Sequence, residues 1–275
     1  MSFKNLGERV LVALVFGPVV LAASWFGGWW FFALMLIIAG MAGFEFQNIL
    51  RAKKAQPAVW INLALIPVVF MAVYTGEFAW LVPAIAGWGI LVHLLVLFDR
   101  ERSPVADMGA NSLYLVYIVI LYAFMLALRQ LPVYLGLPYR WGGEWVILML
   151  AATWLCDTFA YFIGTRFGKH KPVPKVSPNK STEGAVGGIV GAVLTALVCQ
   201  ATFATSLSSM QAVVVGLIIG VFGQLSDLVE SMYKRDAGVK DASGILPGHG
   251  GILDRFDSEL LAVPLVVFYL YVAMS

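Results

Sequence analysis

Apolar residues run through this chain in long blocks, each interrupted by a short polar connection. A membrane-crossing helix needs about 20 mainly apolar residues. Nine blocks approach that length, over residues 10–26, 29–50, 57–74, 78–98, 111–128, 145–164, 185–206, 211–233 and 258–274. The pattern predicts an all-α, polytopic integral membrane protein with about nine transmembrane helices. Lys4 and Arg9 precede the first block, as basic residues precede a signal peptide. No convincing small-x-small cleavage site follows and further blocks come at once, so the block reads as a retained anchor. The connections leave no room for a soluble domain, and chemistry is expected in short loops and at helix ends. The chain divides into a region 1–135, with about five helices and ordinary connections, and a region 136–275, where polar residues become dense.

Composition sharpens this. Of 275 residues, 60% are hydrophobic and 12% charged, and the mean hydropathy is +0.85. A soluble fold of this size could not hide so many apolar side chains. The wealth of Leu, Val and Phe excludes disorder and collagen, and two cysteines exclude a disulfide scaffold. Cys156 and Cys199 lie in apolar stretches without CxxC spacing and read as small buried residues. A net charge of +2 offers no basic patch for nucleic acid. With the N-terminus in the cytoplasm, 16 of the 18 Lys and Arg residues fall on the cytoplasmic side, and outside connections keep only Arg129 and Arg140. Trp29, Trp30, Tyr139, Trp141 and Trp145 flank block ends, as interfacial aromatic belts do.

Charges inside membrane spans are costly and point to function by default. Four carboxylates qualify: Glu45, Asp157, Asp227 and Glu230. Glu45, near the inner end of the second block, can be explained by snorkelling or capping. Asp157, in WLCDTFAYF, fits either an active-site ligand or an interhelical hydrogen bond to Ser or Thr. Asp227, Glu230, Ser231 and Lys234 are spaced i, i+3, i+4 and i+7, one polar stripe on a helix. That stripe suits a metal and a phosphate together; an internal salt bridge to Lys234 is the plainer alternative. His93 stands alone in an apolar run and reads as a satisfied buried imidazole.

Two inner loops have the wrong composition for linkers. The first, GTRFGKHKPVPKVSPNKSTEGAVGG, holds five basic residues and three prolines. Proline stiffens it. Ser177, Lys180, Ser181 and Thr182, followed by Glu183 and Gly184, bring donors to a helix N-terminus, where anions are welcome. His170 lies between Lys169 and Lys171, whose charge opposes a proton or a metal there. The second, SMYKRDAGVKDASGILPGHGGILDRFDSE, mixes Lys234, Arg235, Lys240 and Arg255 with Asp236, Asp241, Asp254 and Asp257 around a Gly-rich turn that carries His249. Asp254 and Asp257, spaced i, i+3, would share a face where the ninth helix begins. Carboxylates that hold Mg²⁺ and cations that neutralise a triphosphate are what phosphoryl or nucleotidyl transfer requires. Neither a Walker A sequence nor a GxGxxG after a strand is present.

Residues 231–257 resemble the signature of the phosphatidate cytidylyltransferase (CDP-diacylglycerol synthase) family. Ser231, Lys234, Arg235, Lys240, Asp241, Pro247, His249, Gly250, Gly251, Asp254, Arg255 and Asp257 stand in register with S-x-x-K-R, K-D, P-x-H-G-G and D-R-x-D. Upstream, D-T-x-A-Y-F from Asp157, G-K-H-K and S-P-x-K-[ST]-x-E-G match as well. Tyr233, where an aliphatic or Phe is more usual, and Phe159, where Gly is common, depart from the pattern; Phe159 would narrow the space around Asp157.

The resemblance implies the reaction CTP + phosphatidic acid → CDP-diacylglycerol + pyrophosphate, dependent on Mg²⁺, at the cytoplasmic face of the cell membrane. Asp227 and Asp254 are expected as metal ligands, with Asp157 or Asp257 completing the shell. Lys234, Arg235 and Lys240 would hold phosphates, and Asp241 and His249 would position substrate or leaving group. Ser177, Lys180, Thr182, Glu183, Ser231 and Arg255 would contact CTP or the lipid headgroup. Two other readings fit the same charges: a CTP-dependent lipid-alcohol kinase and a secondary transporter. Gly184, Gly187, Gly188 and Gly191, then Gly216, Gly220 and Gly223, suit either close helix packing within the chain or a homodimer face.

Overall fold

A computed structural model describes residues 4–99, 103–245 and 250–275, with side chains described at residue 14 and from residue 16 onward. His249, Pro247, Arg100, Arg102 and the side chains of Lys4 and Arg9 lie outside the described residues. Within them every regular element is a helix and no strand forms. In chain order these are α1 (Lys4–Phe26), α2 (Gly28–Ala52), α3 (Val59–Thr75), α4 (Phe78–Phe98), α5 (Pro104–Tyr134), α6 (Arg140–Phe167), α7 (Thr182–Thr202), α8 (Ser209–Asp236), the single turn α9 (Leu253–Phe256) and α10 (Ala262–Met274). Helices α2, α4, α5, α6, α7 and α8 are long and apolar enough to cross a membrane. Phe16–Phe26 of α1, together with α3 and α10, coincides with the other three expected blocks, but these apolar stretches are shorter. The chain is thus an all-α polytopic membrane protein, with six crossings supported by length.

The ninth block differs from expectation. Helix α9 stops at Phe256, and turn residues intervene before α10 starts at Ala262. Asp257 therefore directly follows α9, ahead of the helix that the ninth block was expected to form from residue 258.

The chain divides into two compact units, Met1–Ala127 with Tyr233–Arg255, and Leu128–Met232 with Phe256–Ser275. In the first unit the connection before α3 is tied down by a polar cluster that no motif revealed. Asp107, in the first turn of α5, accepts from the Gln56 and Ser103 N–H groups at 2.7 and 3.2 Å. Asn111, one turn later, accepts from the Ala58 N–H at 2.9 Å and from the Asn62 amide at 2.8 Å. Asn62 in turn accepts from the Trp88 indole at 2.9 Å. Asp107, Asn111 and Asn62 are fully buried. Backbone donors that leave water need such partners, because an unpaired one forfeits its hydration.

In the second unit α6 packs along α7, and α7 against α8. Glycines set the spacing. A Cβ on Gly216 would lie 2.7 Å from the Val193 Cα, and one on Gly220 would lie 2.8 Å from the Ile189 Cα. Both glycines therefore serve contacts within the chain, where backbones approach too closely for any side chain. A π-helical stretch, Ile219–Gly223, interrupts α8. The Gln224 amide donates to the Gly220 carbonyl at 2.6 Å and to the Ala185 carbonyl of α7 at 3.0 Å. Helix α8 begins with a reciprocal cap. The Ser208 hydroxyl accepts from the Gln211 N–H at 3.2 Å, while the Gln211 side chain accepts from the Ser208 N–H at 2.7 Å.

Three expectations change here. Arg129 belongs to α5 rather than to an open outside loop and is 1% exposed. Its guanidinium donates to the Tyr139 carbonyl at 3.1 Å and lies 4.0 Å above the Tyr139 ring. Trp145 is buried core, with its indole donating to Ser206 at 3.0 Å, rather than part of an interfacial belt. His93 is exposed on α4 rather than buried, with Nδ1 2.7 Å from the Gly89 carbonyl. Cys156 and Cys199 are free and buried, as the apolar context suggested.

Asn111→Ala removes the acceptor of two buried donors, which typically costs about 1–3 kcal/mol for each group left unpaired. Thermal unfolding of the purified variant should show a clearly lowered Tm. An unchanged Tm would mean that the cluster is dispensable.

Candidate functional site

The polar residues expected to carry chemistry gather in two clusters, one in each unit. In the first unit, Lys234 near the end of α8 donates to the Asp254 Oδ1 at 2.5 Å. Their side chains are only 10% and 6% exposed. This is a buried pair rather than a surface one, so losing either partner strands a charge. The other oxygen of Asp254 accepts from the Gly251 and Ala242 N–H groups at 2.7 and 3.0 Å. One carboxylate thereby joins α8, residue 242 and residue 251. Arg235 donates to the Val239 carbonyl at 3.2 Å, while Lys240, Asp241 and Arg255 are exposed. Tyr233, the departure from the family pattern, packs its ring between Phe46 and Tyr117, at centroid distances of 5.7 and 5.3 Å.

The same cluster contains an acid that the charge pattern did not single out as a site residue. Glu45 of α2 is fully buried. It accepts from the Ile252 N–H at 3.0 Å, the Leu253 N–H at 2.8 Å and the Ser243 hydroxyl at 2.5 Å. It does act as a cap, but of a segment some 200 residues away in sequence. Its position inside an apolar block was the one available signal.

In the second unit, Lys180 lies 2.6 Å from the Asp227 Oδ2. Ser231, one turn on from Asp227, donates to Oδ1 at 3.2 Å. Both side chains of the ion pair are about one-third exposed, at 30% and 28%. Asp227 thus finds its lysine in the Pro-rich loop. Glu230, beside it on α8, is buried.

That loop is held by its own hydrogen bonds. The Ser181 hydroxyl caps α7 by accepting from the Gly184 N–H at 3.1 Å. Thr182 donates its N–H to the His170 carbonyl at 3.0 Å, and the Lys171 ammonium reaches the Asn179 carbonyl at 2.9 Å. Glu183 accepts from the Lys169 and His170 N–H groups, and its Oε1 lies 2.6 Å from the His170 Nδ1. The expectation for His170 weighed only its lysine neighbours in sequence; the fold gives it a carboxylate. Ser177 is half-buried and Thr182 exposed. Asp157 is exposed on α6, and the Phe159 ring packs towards Gly191 of α7, 2.7 Å from where a Cβ would stand. Asp257 accepts from the Ser258 N–H at 2.7 Å, and its carbonyl accepts from the Ser226 hydroxyl.

Among the described residues, no three His, Cys, Asp or Glu side chains gather into a metal cage. Mg²⁺ does not demand one, since it takes one or two carboxylates and completes its shell with water and substrate phosphates. Asp227 and Asp254 offer hard oxygen donors of that kind, each beside a lysine.

The whole chain can also be set beside known proteins. A model described as the cytidylyltransferase family matches residues 7–273. The chain belongs to this family. Phosphatidate cytidylyltransferase of Bacillus subtilis strain 168 is 32% identical over 97% of this chain and 98% of its own length. Proteins of the same name from Haemophilus influenzae strain Rd and Staphylococcus haemolyticus are 32% and 34% identical, over 97% and 94% of this chain and 99% and 94% of their own. As a cytidylyltransferase family member the chain is a nucleotidyltransferase, and the match takes in the membrane helices as well as the polar loops.

Burial alone would raise the Asp254 carboxyl, but the Lys234 ammonium and the Gly251 and Ala242 N–H groups outweigh it and hold the group below the usual carboxylate range. A carboxyl lowered on folding contributes stability above its unfolded pKa, about 3.9. That contribution is lost as pH falls from there through the folded value. Thermal stability should therefore fall below about pH 4, and Asp254→Asn should remove part of that fall. An acid limb equally steep in both proteins would contradict the pairing.

Proposed function

We propose that this chain transfers the cytidylyl group of CTP to phosphatidic acid, giving CDP-diacylglycerol and pyrophosphate for phospholipid synthesis. The observation that carries this is the match, over nearly all of both chains, to relatives named phosphatidate cytidylyltransferase. The proposed setting is the cytoplasmic face of the cell membrane, with the N-terminus inside and nine crossings. The one-sided distribution of Lys and Arg supports that orientation.

In the proposed reaction a phosphate oxygen of phosphatidate attacks the α-phosphorus of CTP. A P–O bond forms there as the bond from the α-phosphorus to the bridging β-oxygen breaks, and the electron pair leaves with pyrophosphate. No covalent enzyme intermediate is needed, so the protein contributes alignment and charge neutralisation. Lys180 and Lys234 are ammonium groups already seated against carboxylates. In each pair a phosphate would compete for the ammonium, freeing a carboxylate oxygen, of Asp227 in the one and of Asp254 in the other, to hold Mg²⁺. When bound, the ion would neutralise charge on the phosphates and the leaving group. Arg235, Lys240 and Arg255 supply further exposed cations, and Asp157, Asp241, His249 and Asp257 remain proposed contributors to the metal shell or to substrate positioning. Ser177, Thr182, Glu183 and Ser231 are assigned to the substrate side; for Glu183 the supporting geometry is indirect, through the loop it holds.

Purified protein in mixed micelles with phosphatidate and CTP should release pyrophosphate, and a chelator should stop it. Asp227→Asn and Asp254→Asn should each lower turnover by about 10²-fold or more, the usual scale for losing one preorganised charge-stabilising group. CDP instead of pyrophosphate would favour a lipid-alcohol kinase. Absence of any CTP consumption would favour a transporter, and near-normal turnover in both variants would remove the metal assignment.

A further inference from the structure

We infer that Glu45, a buried acid on membrane helix α2, is a positioning residue for Asp254. The inference rests on Asp254 serving the proposed reaction. Helix α9 is a single turn, too short to fix its own start, and its leading N–H groups have no partners within it. Glu45 provides them. Its Oε2 accepts from Leu253, and its Oε1 accepts from Ile252 and from the Ser243 hydroxyl. One oxygen thus binds both ends of the Gly-rich turn. The Ser243 hydroxyl extends the hold by accepting from the Ile245 N–H at 3.2 Å.

Gly251 shows how closely the turn passes over the carboxylate. A Cβ there would stand 2.5 and 2.7 Å from the two Glu45 oxygens, so no side chain fits without displacing one of them. Residues 251 to 253 are therefore held by two carboxylates. Asp254 reaches back to Gly251 and Ala242, and Glu45 holds Ile252 and Leu253. The neighbouring residue on α2, Phe46, is fully buried against the ring of Tyr233, directly before Lys234. Adjacent positions on one membrane helix thus anchor the segments that carry both partners of the Lys234–Asp254 pair. Glu45 touches no reacting atom in this arrangement. Its effect passes through the placement of Asp254.

The test compares wild-type protein with Glu45→Gln, Glu45→Ala and Gly251→Ala in the CTP and phosphatidate assay, with rates expressed per folded molecule. Gly251→Ala keeps the carboxylate and blocks its approach, so it probes the contact from the loop side. Misplacing a reacting group by about 1 Å can cost about 10²-fold. The expectation is a kcat lower by about that factor in Glu45→Ala and Gly251→Ala, a smaller loss in Glu45→Gln, and little change in KM for phosphatidate. Amide exchange at residues 251–254 should quicken in all three while α3 keeps its protection. Folded variants with wild-type kcat, or exchange that quickens equally throughout the first unit, would overturn the positioning role. Wild-type protein inactive in the same assay would contradict the proposed reaction instead, and the exchange measurement would still decide whether Glu45 holds the turn.

Discussion

Backbone N–H groups in the connections between apolar helices must find acceptors, and in this protein carboxylates supply them. Asp107 receives the N–H groups of residues 56 and 103. Glu183 receives those of residues 169 and 170. Asp254 receives those of residues 242 and 251, and Glu45 those of residues 252 and 253. An acid amid apolar helices is costly unless its oxygens are satisfied, and a loop leaving such helices has donors that need an ionised or strongly polar partner. Each cost offsets the other. The result is that short loops are tied down at named backbone groups.

Lysine completes the same arrangement at the two places where phosphate chemistry is proposed. Asp254 is almost enclosed with Lys234, whereas Asp227 and Lys180 remain partly open. The closed pair resembles a structural bond that also carries charge. The open pair is accessible to a substrate without much rearrangement. Both place an ammonium beside a carboxylate, which keeps a positive and a negative charge side by side without net charge. A nucleotide with its own cation would separate the two charges and use each.

Much of this is legible in the sequence. Long apolar blocks marked the helices because an apolar segment in lipid can satisfy its backbone only as a helix or in a closed barrel. Asp227, Asp254 and Lys234 stood out because charge is rare in such a chain. The pairing of Asp227 with Lys180 did not, since the two lie 47 residues apart and meet only through the packing of α7 on α8. His170 shows the same: its lysine neighbours are visible in the sequence, but Glu183, which ties it into the loop, arrives by folding. The apolar block ends at residue 128, one position short of Arg129, so the sequence places that cation in an outside loop; the helix runs on to Tyr134 and buries it. Glu45 was visible as an oddity, yet nothing in the order of residues ties position 45 to positions 243 and 252.

The central claim is that the phosphorus transferred to lipid is the α-phosphorus of CTP. Isotope placement tests it most directly, using purified protein, phosphatidate and CTP labelled separately at the α- and γ-positions. The expected result is α-label in the organic phase, as a cytidine-bearing lipid, with γ-label in the aqueous pyrophosphate. Lipid labelled from the γ-position, or from neither, would contradict it.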